Sequence, residues 1–386
     1  MDATEPLRRL TVWLSSQQGA MSEALERLVC SESPSNDPRL LNSTADVVAG
    51  LGERLLGAPP QRPLTAGAPA LRWDVPAVGC AAAPVLLLAH LDTVWPAGTI
   101  DRWPFAVTGD RASGPGAFDM KAGLVQGMFA LAALRVAGLP HPPVVLLVTG
   151  DEEIGSPAGR ALVEAAAQGA SAALVIEASA DGALKTARKG VGNYALHVVG
   201  RAAHAGLEPE SGINALVAAA QLVLALADLA DTAAGTTVTP TMMTAGTSRN
   251  TVAASAVVDV DVRASTVEEQ ERVDSSLLEL RASNGATVSV VGGINRPPME
   301  ERASVELFEM AERAASLCGL PPPSSAAVGG GSDGNFTAAL GVRTLDGLGA
   351  VGAGAHAEGE YALISAMPQR AALLAALVVE LGEEHR

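Results

Sequence analysis

The sequence predicts an α/β protein in two parts: a domain built on a mainly parallel sheet and, inserted within it, a smaller ferredoxin-like domain of order β-α-β-β-α-β. Three observations predict it. Residues 84–90 (PVLLLAH), 144–149 (VVLLVT) and 172–177 (AALVIE) are unbroken apolar runs, of the length expected for strands buried on both faces. Between them, 121–137, opened by Asp119 and rich in Ala, Leu and Met, and 157–168 read as crossover helices. Near residue 190 the pattern changes to strict alternation, as in Tyr194-Ala195-Leu196-His197-Val198 and Val258-Asp259-Val260-Asp261-Val262-Arg263, which marks strands with one wet face.

The alternating region runs as strand 191–200, helix 212–230, strands 238–246 and 255–264, helix 267–283 and strand 286–292. Pro297-Pro298 punctuates its end. Beyond it a helix (303–318), a Gly-rich loop (329–334) and a last helix (365–382) complete the first domain. The expected division is therefore 1–188 with 298–386, around an insert at 189–297. A length of 386 residues accommodates two such domains.

Composition excludes several function classes. With 26 basic against 42 acidic residues the formal net charge is −16, a field that repels nucleic acid and anionic membrane surfaces. Hydrophobic residues make up 48% and charged residues 18%, which places the chain among folded globular proteins rather than disordered ones. The only apolar run in the first 30 residues is Leu10 to Leu14, flanked by charges, so no signal-peptide core is read and a cytoplasmic location is expected. The longest uncharged helical stretch, Ser211 to Ala227, contains Gly, Asn and Gln and is shorter than the ~20 apolar residues of a spanning helix, so no membrane span is expected. Cys30, Cys80 and Cys318 are odd in number and far apart, the pattern of reduced packing residues.

The chemistry gathers where the buried strands end, which is where open α/β sheets bind ligands. The first run ends in His90-Leu91-Asp92, the second leads into Asp151-Glu152-Glu153, and the third ends in Glu177, with Asp119 in a loop. Acids are almost never fully buried unless paired or bound to metal, so three successive strand ends carrying them point to one common site. Asp92, two residues from His90, is able to fix its tautomer by accepting the ring N–H. Adjacent Glu152 and Glu153, if extended, point opposite ways, so that one binds a metal while the other holds a water as general base. One histidine with several carboxylates suits zinc or another divalent ion. Taken alone, Asp151 to Glu153 also reads as a solvated helix start, where acids favour the dipole.

The remaining histidines divide. His141 in a Pro-His-Pro turn, His197 in a strand and His385 in the tail read as structural or solvated. His356 sits in a Gly-rich loop before the last helix, within reach of the strand ends. His204 follows a strand of the inserted domain and is remote from the cluster unless domains or two subunits close together.

With these residues in view, the chain resembles the dinuclear zinc aminoacylase/carboxypeptidase family, which includes glutamate carboxypeptidase, acetylornithine deacetylase and succinyl-diaminopimelate desuccinylase. The likeness rests on HLDTVWPAG (90–98), GPGAFDMKAG (114–123), TGDEEIGS (149–156), GRAAHAG (200–206), SRNTVAASAVVDVDVR (248–263), GGGSDGN (329–335) and AGAHAEGEY (353–361). The glutamate carboxypeptidase branch is most similar, through ARKGVG (187–192), INRPP (294–298) and the GGGSD loop. Met120 stands where that branch often has a second acid.

The resemblance implies a zinc-peptidase-like catalytic domain with the insert as a dimerisation domain, and two zinc ions, for which cobalt or manganese substitute. Asp119 would bridge the ions, His90 and Glu177 would hold one, and Glu153 and His356 the other. Glu152 would be the general base and Asp92 would orient His90. His204 and Asn250 would come from a partner subunit to hold the developing oxyanion. Arg263 would grip the substrate's α-carboxylate, with Arg296 and Gly331 also binding substrate. The planar guanidinium fork suits a carboxylate, although Arg263 alone reads as a surface ion pair with a neighbouring Asp. The Asp119–Met120 peptide is expected to be cis. The implied reaction is hydrolysis of an amide bond beside a free carboxylate, releasing a C-terminal amino acid such as glutamate; an N-acyl-amino-acid deacylase is the alternative.

Overall fold

Unbroken apolar runs have no polar face to turn to water, so each must be covered on both sides, and helices do this in the computed structural model of the chain, which describes residues 4–384. His385 lies outside the described residues. In chain order come helices α1 (Thr4–Ser16), α2 (Gln18–Val29) and α3 (Pro38–Leu56), strands β1 (Leu71–Val75) and β2 (Val85–His90), helix α4 (Ala122–Ala137), strand β3 (Val144–Thr149), helix α5 (Arg160–Ala167) and strand β4 (Ala172–Val175). Strand β5 (Gly190–Val199), helix α6 (Ala215–Leu226), strands β6 (Thr237–Ala245) and β7 (Ser255–Ala264), helix α7 (Val267–Leu278), strand β8 (Thr287–Arg296) and helices α8 (Val305–Cys318) and α9 (Ala366–Glu383) follow.

The chain divides into two compact units. One comprises the chain up to Ala187, Glu301–Val328 and everything from Ser332 onward; the other is Arg188–Glu300 with Gly329–Gly331. The glycine stretch goes with the second unit because the buried Arg188 guanidinium donates to the carbonyls of Gly330 and Gly331, at 3.1 and 3.2 Å.

In the first unit the sheet has the order β1-β3-β2-β4 followed by the short strand Thr344–Leu345. β2, β3, β4 and the short strand are parallel, and β1 alone runs antiparallel, against β3. Side chains alternate between two cores. Val85, Leu87 and Ala89 face the larger one, shared with α1 to α4, α8 and α9, while Leu86 and Leu88 face a smaller one with Val163 and Ala167 of α5 and Phe336. The turn and helix spanning Ala117–Ala137 are long and apolar enough by composition to cross a membrane, yet most of this segment is buried inside the unit, where it serves as the central core helix. The third run ends its ladder at Val175 rather than 177, two residues before the ligand-type Glu177.

The second unit is an antiparallel sheet of order β8-β5-β7-β6, the fourth, first, third and second strands of a ferredoxin-like domain. Val258, Val260 and Val262 of β7 are buried in this unit's core with residues of α6 and α7, while Asp259, Asp261 and Arg263 lie on the other face. Helix α6 begins at 215, not 212, because the Asn214 side chain accepts from Leu216 and Val217 N–H at 3.0 and 3.2 Å. Thr266 caps α7 through the N–H of Glu269. The two ends of this unit are bonded to each other: Arg188 and Met299 exchange N–H···O bonds of 2.9 and 3.0 Å.

A candidate metal centre at the strand ends

His90 terminates β2 and is almost wholly buried. Its Nδ1 lies 3.0 Å from the main-chain oxygen of Asp92 and 3.3 Å from Asp92 Oδ1, so both acceptors face one ring nitrogen and leave Nε2 turned to the site. Nε2 stands 3.3 Å from Glu177 Oε1 and 3.6 Å from Asp119 Oδ1. The other Asp119 oxygen is 3.4 Å from His356 Nε2, which is also 3.1 Å from Glu153 Oε2. Two triads result, His90-Asp119-Glu177 and Asp119-Glu153-His356, with the ligand atoms in each within 4.8 Å of one another and one carboxylate common to both.

The turn Ala117–Lys121 delivers that shared carboxylate. It opens after Gly116, whose φ of 71° and whose contact with Thr93, 2.4 Å from where a Cβ would stand, both require glycine. The Asp119–Met120 peptide within it is cis, as expected from the resemblance.

Asp92 works behind the triads. Fully buried, it accepts from Ser35 Oγ at 2.7 Å and from the N–H groups of Glu152 and Glu153 at 3.1 and 3.2 Å. Glu152–Ile154 form a 3₁₀ turn, so the extended geometry on which the opposite pointing of the two glutamates depends is not the one adopted. Asp151 takes the helix-start role instead, accepting the N–H groups of Ala158 and Gly159 just before α5.

The electrostatics are those of a site built for a cation. Burial alone would raise the Asp119 carboxyl, but His356 and His90 hold it well below the ordinary range. Burial likewise opposes a charge on His90, yet Asp119, Asp92 and Glu177 outweigh it and push the imidazole well up. Asp119 and Glu153 raise His356 to about 10, and burial raises Glu153. The fit to metal is also geometric: His90 Nε2, within 3.6 Å of the Glu177 and Asp119 oxygens, and Glu153 Oε1 are both buried and have no hydrogen-bond partner among the described residues. Imidazole nitrogen with carboxylate oxygen suits zinc and similar divalent ions.

The structure adds residues that the sequence reading missed. Glu360 is buried, accepts from Trp95 Nε1 and from Phe118 N, and has its carboxyl raised to about 7, mainly by burial. Lys121, inside the DMK motif and also buried, donates to the Ser31 carbonyl at 2.9 Å. An acid in the Gly-rich loop after His356 was a readable signal for Glu360; Ser35 had none.

The other expected residues lie in the second unit. His204 is exposed, and its Nδ1 accepts from Gly206 and Leu207 N–H, both at 3.1 Å, which leaves Nε2 to carry the ring proton. Asn250 is brought beside it, since Ala205 N–H donates to the Asn250 carbonyl at 2.9 Å. Arg263 and Arg296 occupy one rung of the sheet, on either side of Val191. The Arg263 fork holds Asp261, with contacts of 2.8 to 3.2 Å. His141 is buried and bonded to its own turn, and all three cysteines are free.

The profile of peptidase family M20/M25/M40 matches residues 86–380. Carboxypeptidase G2 of Pseudomonas sp. (strain RS-16) is 32% identical over 306 residues, covering 77% of this chain and 74% of that protein. A shorter stretch of 68 residues, 17% of this chain and 16% of the other, is 48% identical to indole-3-acetyl-aspartic acid hydrolase of Enterobacter agglomerans. Among solved structures, aminopeptidase PepT of Bacillus cereus has a similar fold, with a TM-score of 0.74 at 22% identity over 94% of this chain and 98% of that one.

Proposed function

The chain belongs to peptidase family M20/M25/M40, hydrolases of peptide bonds, and from that premise we propose that it is a dizinc carboxypeptidase releasing a C-terminal amino acid such as glutamate. One observation carries the reading: Asp119 offers one oxygen to each of two nitrogen–oxygen triads. His90, Asp119 and Glu177 would hold one zinc and Asp119, Glu153 and His356 the other. Bound there, the ions would polarise the scissile carbonyl and make a water acidic enough to attack it near neutral pH.

The chain's own residues do the rest. Glu152 takes a proton from the attacking water and delivers it to the leaving nitrogen as the C–N bond breaks, giving a carboxylic acid and a free amine, which at neutral pH exchange a proton to become carboxylate and ammonium. Asp92 keeps the His90 ring in one orientation. His204, with Nε2–H as donor, and Asn250 would bind the developing oxyanion from the partner subunit of a two-fold dimer. The dimer reading is supported by β6, an edge strand exposing Met242 and Met243, with Leu224 of α6 also exposed. Arg263, Arg296 and Gly331 would bind the substrate, whose α-carboxylate would replace Asp261 on the Arg263 fork.

A second reading, an N-acyl-amino-acid deacylase, is favoured by the 48% identical stretch shared with indole-3-acetyl-aspartic acid hydrolase. A panel of folyl-glutamate and dipeptides against N-acetyl and N-succinyl amino acids, with zinc restored, separates the two. Faster turnover of the first group supports the carboxypeptidase and of the second the deacylase. Protein that binds no zinc and hydrolyses neither group overturns both. Glu152→Ala should keep its zinc and lose about 10²–10⁴ in kcat.

A further inference from the structure

Glu360 is fully buried, four residues beyond His356. Its Oε1 accepts the main-chain N–H groups of Phe118 and Asp119, at 3.0 and 3.4 Å, and its Oε2 accepts Trp95 Nε1–H at 3.0 Å. Three stretches of chain that carry ligands therefore meet on one carboxylate. Trp95 belongs to the loop that begins with His90 and Asp92, Phe118 and Asp119 to the bridging turn, and Glu360 to the His356 loop. Trp95 is itself held, its ring edge-on to Trp103 with centroids 5.0 Å apart.

This arrangement asks for a carboxylate rather than any acceptor. Three N–H donors converge, and only a group with two acceptor oxygens and no hydrogen meets all of them. His356 needs such support: it is half exposed on a Gly-rich loop, with a φ of 61°. A buried charge is retained only where hydrogen bonds hold it, and these bonds lead to the segments bearing His90, Asp119 and His356.

We infer that Glu360 is a positioning residue that sets the bridging Asp119 between the two metal positions and ties the His356 loop to it. The inference rests on the dizinc reading of the two triads.

The test compares wild type with Glu360→Gln, Trp95→Phe and the double variant, measuring zinc stoichiometry and affinity by chelator competition and the melting of the metal-free proteins. In Glu360→Gln the amide can keep its oxygen on the backbone pair, but its NH₂ then faces the Trp95 N–H. Zinc affinity should fall about 10–100-fold, the range for loss of a partner that orients metal ligands. Trp95→Phe alone should weaken zinc less. In the double variant the opposing N–H is gone, so part of the Glu360→Gln loss should return. Wild-type zinc affinity in Glu360→Gln, or a double variant no better than that single one, overturns the inference while two zinc ions in wild type leave the dizinc reading standing. Wild type that binds no zinc overturns both. Should Glu360→Gln fail to fold, Trp95→Phe decides: unchanged zinc affinity there refutes the positioning role.

Discussion

Replacing Gly123 with alanine sets helix propensity against packing. Gly123 lies in the first turn of α4, and Gly→Ala in a helix is worth at most about 1 kcal/mol in favour of the variant. A Cβ there would stand 2.0 Å from the main-chain oxygen of Ile176. Carbon and carbonyl oxygen settle at about 3.3–3.6 Å, so helix and strand end must part by more than about 1 Å. The neighbour is backbone, which cannot swing aside, and such overpacking costs about 1–3 kcal/mol. Ile176 immediately precedes Glu177, whose Oε1 faces His90 Nε2 at 3.3 Å. The displacement should therefore reach the first triad. The variant is expected to lose net stability in urea and to bind zinc about tenfold or more weakly at one of its two positions. Gly50→Ala in α3 is the control: among the described residues, beyond its own helix backbone and chain neighbours, the one atom within 4 Å of its Cβ is Arg54 Nη1, at 3.8 Å, so it should gain up to about 1 kcal/mol with zinc unaffected. A Gly123→Ala protein more stable than wild type with two tight zinc ions would refute the packing argument.

Asp92→Asn turns one acceptor oxygen into a donor facing the Ser35 hydroxyl or a main-chain N–H, so zinc should bind about 10–100-fold more weakly; equal affinity in a chelator titration refutes the role given to Asp92. His356→Ala should lower bound zinc from two ions to one by elemental analysis, since it strips only the second triad; full content refutes that ligand set. Glu152→Ala mixed one to one with His204→Ala, under conditions that exchange subunits, should recover roughly a quarter of wild-type activity, because about half the dimers are mixed and each of these has one intact site. No recovery despite proven exchange means that His204 does not act across a dimer. Arg272 and the Thr236 hydroxyl hold Glu269 at about 2 against an ordinary 4.5, so its contribution is present above about 4.5 and fades as pH falls through about 2. Glu269→Gln should accordingly melt below wild type at pH 6 and level with it at pH 2; a gap that widens in acid contradicts the sign.

Legibility followed the kind of interaction involved. Strands β3 and β7 match the expected runs residue for residue, because fully buried and strictly alternating segments both leave a strong pattern. β4 stops short because Glu177 must leave the ladder to reach the site. The sequence reading places no helices over α1 to α3, although Leu7, Leu10 and Leu14 or Leu41, Ala45 and Val48 carry helical spacing. β1 was missed because Arg72 and Asp74 mask an antiparallel edge strand only five residues long. A common site was legible because acids at the ends of buried strands need a reason to be there, while its division into two triads, with His356 in one, came from the family resemblance. Ser35 and Trp95 were not legible, since they act through hydrogen bonds to distant segments, which no local pattern records, and Glu360 showed only as an acid in the His356 loop.

The mutual bonds between Arg188 and Met299 bear on how this architecture diversifies. A segment whose entry and exit lie one strand spacing apart can be exchanged for another, or shortened to a tight connection, without stretching the chain that flanks it. Such a graft point lets the inserted unit change while the flanking chain keeps its residues, save the Gly330 and Gly331 carbonyls that bond to Arg188. For the engineer it marks where a foreign module is to be spliced.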